Sequence, residues 1–158
     1  MNPSPRSAVI LVVEDDPNDV VLLRRAFKRA NLKLPLRVAR DGQEAVEYLS
    51  AEGRYHDRAR YPIPCLVVLD VKMPRKNGLE VLEWLRQREE FKDLPVVMVT
   101  SSEETGDRKA AHLHGVEAYR VKPASLDELV RIAEEIRAEA EDHCKDAKPC
   151  VPPEEPAR

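Results

Sequence analysis

Five short apolar runs recur along the chain, each four to six residues long and rich in valine, leucine and isoleucine. Uninterrupted runs of this length are typical of strands that are buried on both faces, as in a parallel sheet. The second run contains Pro35 and Arg37, so we predict that it forms an edge strand. The runs are Val9–Val13, Leu34–Ala39, Cys65–Leu69, Val96–Val99 and Ala118–Val121.

Helix signals fill the intervals between these runs. Asp16 followed by Pro17 predicts a helix start, because an Asp side chain caps the first turn and Pro fits its first position. Two capping-box patterns, with Glu three residues after Asp or Ser, predict two further starts. The predicted N-caps are Asp16, Asp41, Ser102 and Ser125, and the apolar face of the remaining helix carries Leu79, Leu82 and Leu85.

The alternation of strands and helices predicts an α/β fold. We expect a flavodoxin-like, doubly wound (βα)₅ domain, in which a five-stranded parallel sheet in the order 2-1-3-4-5 has helices on both faces. This order puts the weak second strand at an edge. We predict one domain over residues 8–140, a disordered N-terminus over residues 1–7, and a disordered, Pro-rich tail over residues 141–158.

Composition and charge narrow the class of protein. A chain of 158 residues suits one domain. The net charge is −3 and the basic residues are spread along the chain, so we expect no nucleic-acid surface. The apolar runs are too short for a membrane span or a signal peptide, so we expect a cytoplasmic protein without membrane contact.

The cysteine count adds a redox expectation. The three cysteines, Cys65, Cys144 and Cys150, have no metal-ligand spacing. An odd number without such spacing predicts free thiols in a reducing compartment. Cys65 opens an apolar run, so we expect it to be a small core residue.

Polar residues follow the predicted strands where a ligand would bind. In open α/β sheets, ligands bind beyond the carboxyl ends of the strands, at the point where the strand order reverses. Here the first and third strands are neighbours at that point, so the acids that follow them should converge. The residues after the first, third, fourth and fifth strands are Glu14, Asp15 and Asp16, then Asp70, then Thr100, and then Lys122.

Convergent carboxylates are costly without a cation. Two carboxylates roughly 5 Å apart repel each other by about 3 kcal/mol at an effective dielectric constant of about 20. Mg²⁺ accepts two or three carboxylates together with water, and Lys122 would add positive charge. A carboxylate, a metal, an ammonium group and a hydroxyl group together suit a phosphoryl group.

Four motifs, each after its expected strand, resemble those of response-regulator receiver domains. The resemblance extends roughly from Ala8 to Ala140, and the order of the motifs makes it specific. The motifs are Glu14-Asp15-Asp16, Leu69-Asp70-Val71-Lys72-Met73-Pro74 with Gly78, Val99-Thr100-Ser101, and Tyr119-Arg120-Val121-Lys122-Pro123.

The resemblance implies a phosphoacceptor site that uses Mg²⁺ as its cofactor. It implies that Asp70 accepts a phosphoryl group from the phosphohistidine of a sensor histidine kinase or a phosphotransfer protein. It also implies that Asp15 binds Mg²⁺ directly, that Glu14 does so through water, and that Asp70 and the carbonyl of Lys72 complete the protein ligands.

The resemblance further implies a switch. Thr100 and Lys122 contact the phosphoryl oxygens after transfer, Tyr119 rotates inward, and the peptide bond between Lys122 and Pro123 is cis. The face of the fourth helix, fifth strand and fifth helix then changes and signals by protein contact, including contact with a second copy in a homodimer. We expect no output domain in this chain, as in single-domain regulators that serve bacterial phytochromes.

Two residues depart from the usual receiver pattern. Asp16 is a third acid after the first strand, and we favour a helix-capping role over metal binding for it. Lys72 lies two residues after Asp70, where many receivers have a smaller neutral residue. Its ammonium group would either reach the phosphoryl group or obstruct the attacking water, so we expect it to affect the lifetime of the phosphorylated state.

Two other functions compete with the switch. An aspartate-nucleophile phosphohydrolase would have an acid two residues after the nucleophile as its proton carrier, but Lys72 occupies that position. The nucleophile of those enzymes also follows the first strand, whereas Asp70 follows the third. A degenerate receiver that serves only for docking would lack some key residues, whereas every key position is filled here.

Overall fold

The sheet has five parallel strands in the order β2-β1-β3-β4-β5. The computed structural model describes residues 6–149. The predicted α/β fold and strand order are confirmed. The strands are β1 (Ser7–Val13), β2 (Leu36–Ala39), β3 (Pro64–Leu69), β4 (Val96–Thr100) and β5 (Ala118–Val121). The helices are α1 (Pro17–Arg29), α2 (Gly42–Leu49), α3 (Gly78–Arg86), α4 (Thr105–Leu113) and α5 (Leu126–His143), with a 3₁₀ turn over Gly53–Tyr55.

Two hydrophobic layers lie on opposite faces of the sheet. Alternate side chains of a strand point to opposite faces, so Leu11 and Val13 belong to one layer while Ile10 and Val12 belong to the other. The first layer packs against α2, α3 and α4, and the second packs against α1 and α5. This double burial explains why the strands are continuous apolar runs. Within residues 6–149, no helix is both long and apolar enough to cross a membrane.

Three of the four predicted N-caps are confirmed, and one is wrong. The side chains of Asp16, Asp41 and Ser125 each accept a hydrogen bond from the backbone of the first turn of α1, α2 and α5. Ser102 lies too early, because α4 begins at Thr105. Its hydroxyl group donates instead to Asp107 Oδ2 at 2.5 Å, within α4.

Ordered structure continues beyond the predicted domain end at residue 140. Helix α5 extends to His143, and the following residues cross to the start of β1. There Lys148 forms a parallel bridge with Ser7, and its N–H donates to the Arg6 carbonyl oxygen at 2.9 Å. Ala147 packs in the second hydrophobic layer, which explains why this segment stays against the sheet. The rest of the predicted tail, residues 150–158, and residues 1–5 lie outside the described residues.

The prediction of free thiols is wrong for two of the three cysteines. Cys65 in β3 and Cys144 after α5 form a disulfide, with Cα atoms 5.4 Å apart. The two residues are separated by 79 positions in the sequence, so their spacing carries no pairing signal. Because α5 packs against the face that includes Cys65, its last turn ends beside the beginning of β3. Cys150 lies outside the described residues.

The turn after Asp70 requires glycine at residue 78. A Cβ atom added to Gly78 would lie 1.9 Å from the Asp70 carbonyl oxygen, whereas one added to Gly106 in α4 would have no neighbour within 4 Å. We therefore expect Gly78→Ala to lower the free energy of unfolding by at least ~2 kcal/mol through overpacking. Gly106→Ala should raise it by up to ~1 kcal/mol through helix propensity. Urea unfolding of both variants measures this contrast, and equal stability of the two would contradict the steric argument.

Candidate functional site

Three acids converge where β1 and β3 end. Val13 and Leu69 are paired neighbours in the sheet, so the residues that follow them, Glu14 and Asp70, lie side by side. Both are 3% exposed. Together with the exposed Asp15, each offers a carboxylate oxygen, and these atoms all lie within 4.8 Å of one another. This donor set fits a hard divalent cation, which prefers carboxylate oxygen ligands.

The ammonium group of Lys122 lies among these acids. Its Nζ is 2.7 Å from Glu14 Oε2 and 3.0 Å from Asp70 Oδ2. The third contact is with Asp19 Oδ2 at 2.7 Å. Three carboxylate contacts match the three donors of an ammonium group. The backbone holds the lysine in place, because its N–H donates to the Thr100 carbonyl oxygen at 2.7 Å.

Asp19 is a site residue that the sequence analysis missed. It lies in the first turn of α1, and this turn follows directly from the acids at the end of β1. Its position in the sequence could have indicated this, because Asp19 lies three residues after the N-cap Asp16. Side chains three residues apart lie on one face of a helix, so Asp19 was a candidate for the same end of α1. The N-cap assignment of Asp16 itself is confirmed, because its carboxylate accepts from the Asn18 N–H at 2.9 Å.

Burial and neighbouring charge change the acid–base behaviour of this cluster. Burial raises the pKa of Glu14 to about 7, and the Asp70 charge adds to this, although the Lys122 hydrogen bond opposes it. Burial alone would lower the pKa of Lys122, but hydrogen bonds to Asp19 and Glu14 raise it above its ordinary value. The ammonium group therefore stays charged at neutral pH.

Thr100 and Tyr119 are tied to the loop between β4 and α4. Thr100 is fully buried, and its hydroxyl oxygen accepts from the Ser102 N–H at 3.2 Å. The Tyr119 hydroxyl donates to the Ser102 carbonyl oxygen at 3.0 Å, and its ring is 2% exposed. Arg108 of α4 lies over this ring, 4.8 Å from its centre. The inward position of Tyr119, which we expected only after phosphorylation, is thus its position in this structure.

Lys72 reaches toward α4. Its Nζ is 3.5 Å from Glu104 Oε1 and 3.6 Å from Asp107 Oδ2. The charges of Glu104 and Asp107 raise the pKa of Lys72, whose side chain is about half exposed. Its backbone N–H, by contrast, donates to Asp70 Oδ1 at 3.3 Å. One residue thus contacts both the candidate phosphoacceptor and the beginning of α4.

The predicted cis peptide bond between Lys122 and Pro123 is wrong. No peptide bond within residues 6–149 is cis. A trans bond before proline is the more stable form by about 0.5–1 kcal/mol unless tertiary contacts favour cis. In the trans form the Lys122 side chain already makes its three carboxylate contacts.

These features agree with a known family. The chain belongs to the response regulator receiver domain family, which it matches over residues 10–134. Receiver domains act as phosphorylation-dependent signalling switches, and they bind divalent metal.

Several relatives match over most of their own length. The probable methanogenesis regulatory protein FilR2 of Methanothrix harundinacea is 35% identical over 129 residues, covering 82% of this chain and 81% of that protein. Response regulator Rcp1 of a Synechocystis strain is 33% identical over 130 residues, covering 82% of this chain and 86% of that protein. The crystal structure of its Mn²⁺-bound form has a TM-score of 0.75 over 83% of this chain and 92% of that one. The crystal structure of the phosphorylated cyanobacterial phytochrome response regulator RcpA is 30% identical in sequence. It has a TM-score of 0.77 over 90% of this chain and 97% of that one.

The contacts of Lys122 generate a prediction for metal binding. A positive charge close to Glu14 and Asp70 opposes a divalent cation, and Asp19 partly neutralises that charge. We expect Asp19→Asn to weaken Mg²⁺ or Mn²⁺ binding roughly three- to tenfold, as measured by isothermal titration calorimetry. Asp16→Asn is the matched control, because it removes the same charge nearby and keeps a good N-cap. Equal weakening in both variants would show that net charge alone matters.

Proposed function

We propose that this protein is a phosphoacceptor switch that receives a phosphoryl group on Asp70 with the help of Mg²⁺. The phosphoryl donor is the phosphohistidine of a sensor histidine kinase or a phosphotransfer protein. The observation that carries this proposal is the convergence of Glu14, Asp15 and Asp70 with the ammonium group of Lys122. The cytoplasm is the proposed location, since kinases that use ATP act there.

Each residue of the site has a role in the transfer. Glu14, Asp15, Asp70 and the Lys72 carbonyl would hold Mg²⁺, which offsets negative charge on the phosphoryl oxygens. An oxygen of Asp70 attacks phosphorus, and the phosphorus–nitrogen bond to the donor histidine breaks as the new oxygen–phosphorus bond forms. Lys122 stabilises the added charge, and the Thr100 hydroxyl donates to a phosphoryl oxygen.

Thr100 also provides a route from the site to the surface. If its hydroxyl group turns toward the phosphoryl group, it gives up the hydrogen bond from the Ser102 N–H. Ser102 also contacts Tyr119 and Asp107, so a shift of this loop would reach β5 and α4 together. We propose that the face formed by α4, β5 and α5 changes in this way and contacts a target protein or a second copy.

The family relatives suggest which donor to test first. RcpA is described as a phytochrome response regulator, so a phytochrome-type histidine kinase is the first candidate partner.

A phosphohydrolase is disfavoured, because Lys72 occupies the position where such an enzyme has its acidic proton carrier. The Lys72 ammonium group also contacts Glu104, which directly precedes α4, and Asp107 in its first turn.

Direct phosphorylation tests the proposal. With Mg²⁺ and acetyl phosphate, we expect one acid-stable, alkali-labile phosphoryl group per chain, seen by intact-mass spectrometry. Asp70→Asn and chelation should each abolish it, whereas the exposed control Asp93→Asn should label normally. Labelling that persists in Asp70→Asn would overturn the assignment, and rapid turnover of an unrelated phosphate ester would favour a hydrolase.

Lys72 should control how long the phosphoryl group persists. Its ammonium group can shield an acyl phosphate on Asp70 from water, so we expect Lys72→Asn to shorten the half-life of the phosphorylated state roughly three- to tenfold. Lys76→Asn makes the same change of charge in the same loop and should leave the half-life unchanged. Decay of the phosphorylated protein, followed by Phos-tag electrophoresis, measures both, and an unchanged half-life in Lys72→Asn would contradict this role.

A further inference from the structure

The Cys65–Cys144 disulfide lies outside the phosphorylation site and joins the beginning of β3 to the residue that follows α5. Cys65 lies near the beginning of β3, whose far end carries Asp70. Cys144 follows the last turn of α5, and α5 belongs to the face of α4, β5 and α5 that we propose changes on phosphorylation. The two sulfur-bearing residues differ in access, because Cys65 is 0% exposed and Cys144 is 8% exposed.

A cavity of about 350 Å³ adjoins Cys144. It lies between the turn after α1, residues 31–34, and the end of α5. Three basic residues, Lys33, Arg137 and Lys145, line it together with a single acid, Glu141. Positive charge stabilises a thiolate and increases its local concentration. The cavity therefore offers an attacking thiolate a favourable approach to Cys144.

We propose that Cys65–Cys144 is a redox-active disulfide that a dithiol reductant opens in the folded protein by attack on Cys144 Sγ. The reductant thiolate bonds to Cys144 Sγ, the sulfur–sulfur bond breaks, and Cys65 leaves as a thiolate that takes up a proton. The second thiol of the reductant then attacks the mixed disulfide and releases Cys144, which is also protonated. The protein gains two electrons and two protons, and the reductant becomes a disulfide.

The placement of the bond determines what its opening would release. The bond holds the residues after α5, which cross to β1 and pair with Ser7 through Lys148. The body of α5 is held independently by buried residues such as Ile136 and Ala140. Reduction should therefore loosen the end of α5 and the segment up to Lys148 while the rest of the domain stays folded. A disulfide inside cells is commonly transient or redox-sensing, which agrees with this reading.

Counting thiols and following the reduction tests the first step. In the full chain purified without reductant and then denatured, we expect maleimide to label one of the three cysteines, Cys150, and all three after reduction. In native buffer, the reduction rate should rise in proportion to dithiothreitol concentration. Three reactive thiols before reduction would overturn the proposal, and so would a rate independent of dithiothreitol, because that would mean prior unfolding.

Charge variants test the route of attack. Lys145→Glu should slow native-state reduction roughly threefold, because it reverses one charge of the cavity. Lys109→Glu makes the same change on α4, on the opposite face of the sheet, and should leave the rate unchanged. Asp70→Asn should also reduce at the wild-type rate, so a failed phosphorylation assay would not affect this result. Equal rates in Lys145→Glu and Lys109→Glu would overturn attack through this cavity.

Thermal unfolding and amide hydrogen exchange test whether reduction loosens the end of α5. Reductant should lower the melting temperature of the wild-type protein by roughly 10 °C, because the bond closes a long loop in the unfolded chain. Cys150→Ser should respond in the same way, whereas Cys144→Ala should melt at the lower temperature with or without reductant. Amide hydrogen exchange over residues 141–149 should speed up on reduction. An unchanged melting temperature and exchange pattern would overturn the release.

Discussion

The ion cluster around Lys122 is the interaction on which the rest of the site depends. Two largely buried carboxylates, Glu14 and Asp70, lie close enough to repel each other strongly in a region of low dielectric. The ammonium group offsets this repulsion and adds Asp19 to the cluster. A metal ion that binds the same carboxylates must share them with the ammonium group. Metal binding, the position of Lys122 and the phosphoryl contact proposed for it would therefore be linked through the same carboxylate groups.

The fold creates this cluster through the strand order, one backbone constraint and one side-chain ion pair. Placing β1 beside β3 brings their following residues together, and β5 delivers Lys122 from the far side of β4. Gly78 allows the chain after Asp70 to turn back without collision. Arg75 anchors the same loop to Asp41, with two hydrogen bonds of 2.8 and 3.0 Å. Close packing and two hydrogen bonds thus hold the loop after the candidate phosphoacceptor, while a few polar contacts hold the loop after Thr100.

Local sequence signals predicted the strands, the sheet order and four of the converging residues, because burial pattern and strand-end chemistry are properties of short segments. The same reasoning missed Asp19, since an acid in a first helical turn has an ordinary capping or dipole explanation. It misplaced the start of α4, because the Ser102 hydroxyl group accepts from the Glu104 N–H, which lies ahead of the helix, and donates to the Asp107 side chain. It could not pair Cys65 with Cys144, because their proximity arises only when α5 packs across the sheet.

The pairing of Lys148 with Ser7 also determines where a linker or label can be joined to the protein without covering the candidate site. Both ends of the described chain leave at the amino edge of the sheet, beside the first residue of β1. The seven residues of β1 span roughly 20 Å, so this edge is well separated from Asp70. A surface linker or fluorescent label joined at either end would leave the cleft with Glu14, Asp15 and Asp70 facing the solution. A partner approaching that cleft would meet the loops at the carboxyl ends of the strands and neither end of the described chain.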